Sequence, residues 1–148
     1  MRTPFTALAV ASTLILAGCG SADEAKYPLS GLQEYEAADQ IAADLNAGGF
    51  ECSSYERRTG GLNSASSGDC WHPNEETGED QEVIVMIFNT ESDQKRQAQV
   101  YRDMAELLGG DTGGFVEGGN WMVNCGNKPV CAGVEGVLGG RTETASLF

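Results

Sequence analysis

The chain has 148 residues, with 9 Lys and Arg against 22 Asp and Glu, and a formal net charge of −13 at pH 7. This length suits one folded domain. The acidic balance argues against a nucleic-acid-binding protein and against direct electrostatic attachment to anionic lipid. High net charge keeps a protein soluble, and it also permits cationic partners.

The first 19 residues have the pattern of an export signal. Arg2 and the free amino group form a thin positive region, and residues 5–16 are uncharged and mostly apolar. That run is shorter than the roughly 20 residues of a membrane-spanning helix. It ends in Leu16-Ala17-Gly18-Cys19, which resembles the lipobox of bacterial lipoproteins. The resemblance implies a signal peptide over residues 1–18 and a diacylglyceryl group on Cys19, an anchor stable because it has two acyl chains. An ordinary secretory signal with a chance cysteine is the alternative.

Cleavage before Cys19 removes 18 of the 148 residues and one arginine, which leaves 130 residues and a net charge of −14. Four further cysteines remain, and an even number in an exported domain predicts two disulfides. Of the three connectivities we favour Cys52–Cys70 and Cys125–Cys131, because closing short loops costs the least entropy. A four-thiolate zinc site is the rival, but neither pair has the Cys-x-x-Cys spacing of a zinc ribbon.

The first half of the chain predicts one helix and three strands. Polar residues 19–32 suit a lipidated N-terminus and tether, and Ser30 with Gln33 suggests a capping box that starts a helix. The apolar face of this helix is formed by Tyr35, Ala38, Ile41, Ala42 and Leu45, and Gly48-Gly49 ends it. Strands are predicted at 50–55, 69–72 and 82–88, with a mobile loop at 56–68 and an acidic turn at 73–80. The continuous β-forming run at 82–88 favours a central strand covered on both faces.

The second half predicts a helix, a hairpin and another helix. Residues 90–93 are typical of a helix N-terminus, and they predict a helix that ends at Gly109-Gly110. Its buried face is predicted to contain Ala98, Tyr101, Met104, Ala105 and Leu108. Strands 115–117 and 120–125 flank a turn at Gly118-Gly119. Asn127 and Pro129 start a third helix that runs to Leu138, with Val130, Val134 and Val137 inward. Residues 141–148 are expected to form a flexible tail.

The predicted order is α-β-β-β-α-β-β-α. Consecutive strands without crossover helices favour antiparallel pairing. We therefore predict a single globular α+β domain over residues 33–140, a two-layer sandwich with a mainly antiparallel sheet of four to five strands, two to three helices and two disulfides.

The resemblance to exported lipoproteins extends past the lipobox. A helix ending in Gly-Gly-Phe-x-Cys at 48–52 and the strand Asn120-Trp121-Met122-Val123-Asn124-Cys125, followed by a short helix ending in Gly-Gly, recur together. In this respect the chain is similar to small uncharacterised exported lipoproteins of high-GC Gram-positive bacteria. The shared motifs are packing and disulfide features, so the resemblance implies fold and location rather than a reaction.

His72 is the single histidine of the chain, so a general base or an imidazole ligand would have to be this residue. The acidic residues around it could hold a cation, but their spacing matches no calcium loop, and a solvated acidic turn is the favoured interpretation. No Gly-x-Ser-x-Gly elbow or phosphate loop is present. Catalytic residues, metal ligands and cofactors are therefore not assigned.

The two tryptophans offer a different kind of site, a surface on which sugars or peptides of the cell wall could stack. Trp121 lies in a predicted strand beside a cysteine, so we expect it in the core. Trp71 is close to Pro73, which is expected to be exposed, so both core packing and a surface position stay open for Trp71. Trp71 and His72 together are the candidate ligand surface.

Two function classes follow from the sequence. The first is a membrane-anchored envelope lipoprotein on the extracytoplasmic side that binds or scaffolds an unknown envelope-protein or cell-wall partner without catalysis. The alternative is a small envelope hydrolase or cation-binding protein centred on His72 and the acidic turn. Replacing His72 discriminates the two, because an enzyme would lose its function and a scaffold would tolerate the change.

Overall fold

The computed structural model describes residues 26–59, 63–75, 77–108 and 113–144. Cys19, the signal segment 1–18 and the first part of the tether lie outside these ranges. The elements are α1 (Ala38–Ala47), β1 (Ser53–Arg58), β2 (Ser66–Pro73), β3 (Asp80–Ile87), α2 (Glu91–Leu108), β4 (Gly114–Glu117), β5 (Trp121–Asn124), α3 (Lys128–Leu138) and β6 (Arg141–Thr144). The predicted order of the first eight elements is confirmed, and the α+β class with it.

The strands form one six-stranded sheet in the order β1-β2-β3-β5-β4-β6, and each neighbouring pair is antiparallel. The prediction of four to five strands was too low because β6 was missed. Residues 141–144 were expected to belong to a flexible tail, yet they pair with β4, with Phe115 opposite Glu143. The sequence of β6 is Arg-Thr-Glu-Thr, which has no apolar alternation. Its pairing depends instead on the bend at Gly139 and Gly140, both with positive φ, which returns the chain to the edge of the sheet.

Helices cover both faces of the sheet, so the domain has three layers and the prediction of two was wrong. Side chains from α1 and α3 form one core cluster with Val83, Val85 and Ile87 of β3. Ala98 and Tyr101 of α2 pack on Met86 and on Phe88, which directly follows β3, in a second cluster. Since successive strand residues point to opposite faces, α2 lies opposite α1 and α3. The prediction that this central strand is covered on both faces is confirmed.

The loop predicted at residues 56–68 is shorter than expected, because β1 continues to Arg58 and β2 begins at Ser66. Gly68 explains part of this difference. A Cβ on Gly68 would come within 2.4 Å of the Tyr55 hydroxyl, so the missing side chain gives the Tyr55 ring room to lie across β2.

Helix α1 begins at Ala38 rather than after Ser30, so the predicted capping box was wrong. Gln40 supplies the N-terminal contacts, since its Oε1 accepts hydrogen bonds from the backbone N–H groups of Glu36 and Ala37. The two other helices start as predicted. Asp93 N–H donates to Thr90 Oγ1 at α2, and Val130 N–H donates to Asn127 Oδ1 at α3.

The last part of the predicted tether is packed against the domain. Residues 27–35, here called the N-terminal strap, lie on the α1 and α3 side. Leu29 N–H donates to Val137 O at 2.8 Å, and Asn120 exchanges two hydrogen bonds with the backbone of Tyr35. Gly31 is required there, because a Cβ at that position would lie 2.1 Å from the nitrogen of Gly140. The polar composition of the segment hid this docking, which depends on backbone contacts.

Both predicted disulfides are confirmed. Cys52 bonds to Cys70, and Cys125 bonds to Cys131, each with 5.2 Å between the Cα atoms. The first links the residue before β1 to β2, and the second links the residue after β5 to α3. All four sulfur-bearing residues are buried in the larger core cluster, on the same side of the sheet as α1 and α3.

Candidate functional site

The predicted ligand surface of Trp71 and His72 is divided by the sheet. The two residues are neighbours in β2, so their side chains point to opposite faces. Trp71 lies on the α2 side, opposite Glu82 of β3, and is 40% exposed. His72 lies on the α1 and α3 side. The structure therefore does not bring the two side chains to one surface.

His72 is held by packing contacts. Its ring stacks on Phe50 with 4.0 Å between the ring centroids, and its Nδ1 lies 2.9 Å from the backbone oxygen of Glu51. That oxygen can only accept, so Nδ1 carries the proton, and the ring is held against the backbone just before β1. Phe50 in turn packs on α3 at Gly133, where a Cβ would come within 3.0 Å of its ring. Glycine usually weakens a helix, but at position 133 it permits this close contact.

The acidic turn after His72 is organised by Asn74. Thr77 N–H donates to Asn74 Oδ1, and Gly78 N–H donates to the Asn74 carbonyl, so the side chain and the backbone of Asn74 both hold the turn. Glu75, Glu79 and Asp80 are exposed. Within the ranges that the structure describes, no group of three or more His, Cys, Asp or Glu side chains is placed to hold a metal ion.

Trp121 is fully buried, as predicted. Its ring makes an edge-to-face contact with Tyr35, at 6.4 Å between centroids. Gly118 and Gly140 lie against the ring, where a Cβ on either would be within about 3.0 Å of it. Trp121 therefore fixes the N-terminal strap and the β4–β5 turn to the core and is not accessible to a ligand.

Trp71 belongs to a polar surface that sequence analysis did not find. We call it the Trp71 surface and define it as the α2-side residues of β1, β2 and β3 that α2 does not cover: Glu56, Arg58, Asp69, Trp71, Asp80 and Glu82. Arg58 was missed because it fell in the predicted loop. No spacing along the chain marks Arg58, and its position follows from the pairing of β1 with β2, in which Arg58 lies opposite Ser67.

Arg58 connects the two carboxylates at the centre of this surface. Its Nε donates to Asp69 at 2.6 Å, and its Nη2 donates to Glu82 at 2.5 Å. The hydrogen bond with Asp69 raises the pKa of Arg58, so the guanidinium stays charged. Charge-assisted bonds of this kind fix the directions of both carboxylates. The surface thus presents oriented acceptors beside an exposed aromatic ring.

Helix α2 borders the Trp71 surface with Tyr101, which interacts electrostatically with Arg58 and Glu82. Burial raises the pKa of Tyr101, while hydrogen bonds with Asn124 and Gln97 oppose that shift. The Tyr101 hydroxyl lies 3.6 Å from Met86 Sδ. Gln97 is 3% exposed, and its Oε1 has no hydrogen-bond partner in the described part of the chain. A buried acceptor without a donor is uncommon in folded proteins.

Comparison of the chain with protein-family models, with curated proteins and with solved structures finds no match. Among the described residues, none of the helices has the length and apolar character needed to cross a bilayer. The functional assignment therefore depends on the residues and their geometry.

Proposed function

We propose that this chain is a cell-envelope lipoprotein, anchored through acylated Cys19 on the extracytoplasmic side of the membrane, and that its domain is a non-enzymatic binding or scaffolding module. The Leu16-Ala17-Gly18-Cys19 motif after a short apolar run supports the anchor. Two buried disulfides are typical of domains that fold in an oxidising compartment, which supports export. The resemblance to small exported lipoproteins of high-GC Gram-positive bacteria agrees with both.

One observation carries the binding-module part of the proposal: the single histidine, His72, is held by packing contacts on one face of β2, while Trp71 is exposed on the other. Acid–base catalysis needs its groups within hydrogen-bond reach of one reacting atom. His72 instead stacks on Phe50 and binds a backbone oxygen. Trp71 remains accessible at a surface with fixed carboxylates, and this combination suits recognition of a partner.

The anchor is tested by fractionation and intact mass of the wild type and of Cys19→Ala. Wild-type protein should remain in the membrane fraction and have the mass of the chain from Cys19 plus acyl groups. The variant should be released from the membrane or retain an unprocessed signal, without acyl mass. Wild-type protein that is soluble and unmodified would contradict the proposal.

The absence of catalysis is tested separately by complementation of a strain that lacks the gene. His72→Ala should restore envelope function to the wild-type level, because the imidazole has a packing role. Loss of function in a folded, membrane-bound His72→Ala protein would favour the hydrolase or cation-binding alternative instead.

A further inference from the structure

We propose that the Trp71 surface binds a basic segment of another envelope protein, with lysine or arginine side chains over the Trp71 ring and between the flanking carboxylates. This inference rests on the proposed function, since it names the partner chemistry of that binding module. It commits to a protein partner, and saccharides and the membrane surface are outcomes that the experiment below separates.

The first step is the exposure of the ring. Trp71 is 40% exposed, whereas Trp121, on the other side of the same sheet, is fully buried. A tryptophan with an accessible ring attracts cations to its π-face, most strongly among the aromatic side chains. Trp71 is directly opposite Glu82, and Asp80 lies at the next position of β3 on the same face. A cation over this ring would therefore also meet carboxylates.

The second step is charge complementarity. The Trp71 surface contains four carboxylates, Glu56, Asp69, Asp80 and Glu82, against the single guanidinium of Arg58. Arg58 is shared by Asp69 and Glu82 and cannot neutralise the whole set. The formal excess of three negative charges favours a cationic partner and opposes an acidic one.

The third step is the border that α2 forms with the Trp71 surface. Arg102 reaches Glu143 of β6 on one flank of the helix. Tyr101 lies on the other flank, where it interacts electrostatically with Arg58 and Glu82. Burial raises the pKa of Tyr101, so the phenol stays neutral. The neighbour that α2 gives to this surface is therefore a neutral side chain and not a cation that would repel a basic partner.

The fourth step is the direction of the anchor. The N-terminal strap contacts Val137 and Gly140 on the α1 and α3 side, opposite the Trp71 surface. Between Cys19 and Tyr27 there are seven residues, which span about 25 Å at full extension. A lipid on Cys19 would thus tether the domain from the α1 and α3 side, the side opposite the Trp71 surface. Anionic headgroups would also repel this acidic surface, so a basic protein is the favoured partner.

The experiment measures fluorescence anisotropy of labelled tetralysine with the mature lipidated chain in neutral detergent. Tetralysine should bind, tetraglutamate should not, and Trp71→Ala should weaken the affinity for tetralysine about tenfold. Glu82→Gln should weaken it severalfold, while the matched control Glu106→Gln, which removes one exposed carboxylate from α2, should change it less than about twofold. Thermal unfolding confirms that each variant is folded.

Equal weakening by Glu82→Gln and Glu106→Gln would overturn the proposal, since binding would then follow net charge alone. So would N-acetylglucosamine trimer binding that is lost in Trp71→Ala while tetralysine does not bind, because the surface would then recognise saccharide. Binding to anionic phospholipid vesicles through Trp71 would overturn it in favour of the membrane. Each of these results leaves the Cys19 anchor intact, because acylation is measured independently by mass.

Discussion

The two faces of the sheet differ in what their side chains contribute. The face under α1 and α3 contains Trp121, both disulfides and the docking site of the N-terminal strap, all buried. The face under α2 has a smaller apolar cluster around Met86 and Phe88, and beside it lies the exposed Trp71 surface. We infer that stability is concentrated on the first face, which leaves the second free to carry oriented polar groups for binding.

Two tryptophans placed on opposite faces provide the strongest test of this comparison. Trp121→Ala should lower the free energy of unfolding by about 3–5 kcal/mol, because it empties a fully buried site. Trp71→Ala should change it by less than about 0.5 kcal/mol, because the ring is exposed. Chemical denaturation under oxidising conditions measures both. Similar losses from the two variants would mean that the two faces contribute alike to stability.

The stability that each disulfide contributes should increase with the length of the loop that it closes. Replacing Cys52 and Cys70 together by alanine should cost about 3 kcal/mol, since the separation is 18 residues. The same change at Cys125 and Cys131 should cost roughly 2 kcal/mol, since the separation is 6. Urea midpoints of the two double variants give the ranking. A larger loss for the shorter loop would show that native packing, rather than loop entropy, sets the contribution.

The docking of the N-terminal strap depends on the side chain of Asn120. Asn120→Ala removes the hydrogen bonds with the N–H and the carbonyl of Tyr35, at 2.9 and 2.7 Å. The loss should be about 1–3 kcal/mol, because the backbone groups of Tyr35 lose their partner. Asn89→Ala, at an exposed position after β3, is the matched control and should be neutral. Amide exchange of residues 29–35 should rise in the first variant only; unchanged exchange would mean that the strap is held elsewhere.

Alkaline pH should lower the stability of the face under α1 and α3, and this effect should be the smallest of those described here. Burial, followed by the hydrogen bond to Asp44, raises the pKa of Tyr35 above its ordinary value. The folded state therefore keeps the phenol protonated, and its contribution is full below the unfolded value of about 10 and is lost as pH rises above it. Melting temperatures between pH 8 and 11 should fall more steeply in the wild type than in Tyr35→Phe. If the melting temperatures of the wild type and of Tyr35→Phe fall in parallel with pH, ionisation of Tyr35 is not the cause of the fall.

Much of the fold followed from local patterns in the sequence. Helices α2 and α3 have side-chain caps at Thr90 and Asn127, and the apolar run of β3 indicated a central strand. Disulfide pairing followed from loop length. β6 could not be predicted in this way, because its residues are polar and its pairing depends on the distant edge of β4. The third layer was missed for a related reason, since an amphipathic helix does not reveal which face of a sheet it covers.

The candidate site was predicted only in part. The sequence left both a core and a surface position open for Trp71, and the structure shows the ring exposed. Its pairing with His72 ignored the alternation of a strand, which separates adjacent side chains. Arg58, Asp69 and Glu82 come from three strands, and no spacing along the chain links them. The Trp71 surface could therefore be recognised only from the register of the sheet.

The most direct test of the account is tryptophan quenching in the lipidated protein reconstituted into vesicles. We predict that the protein floats with the vesicles and that aqueous acrylamide quenches Trp71, with Trp71→Phe identifying the Trp71 signal. Brominated lipid should not quench it, because the N-terminal strap leaves on the opposite face of the sheet. Failure to float, or quenching of Trp71 by brominated lipid, would contradict a lipid-anchored module that presents the Trp71 surface away from the membrane.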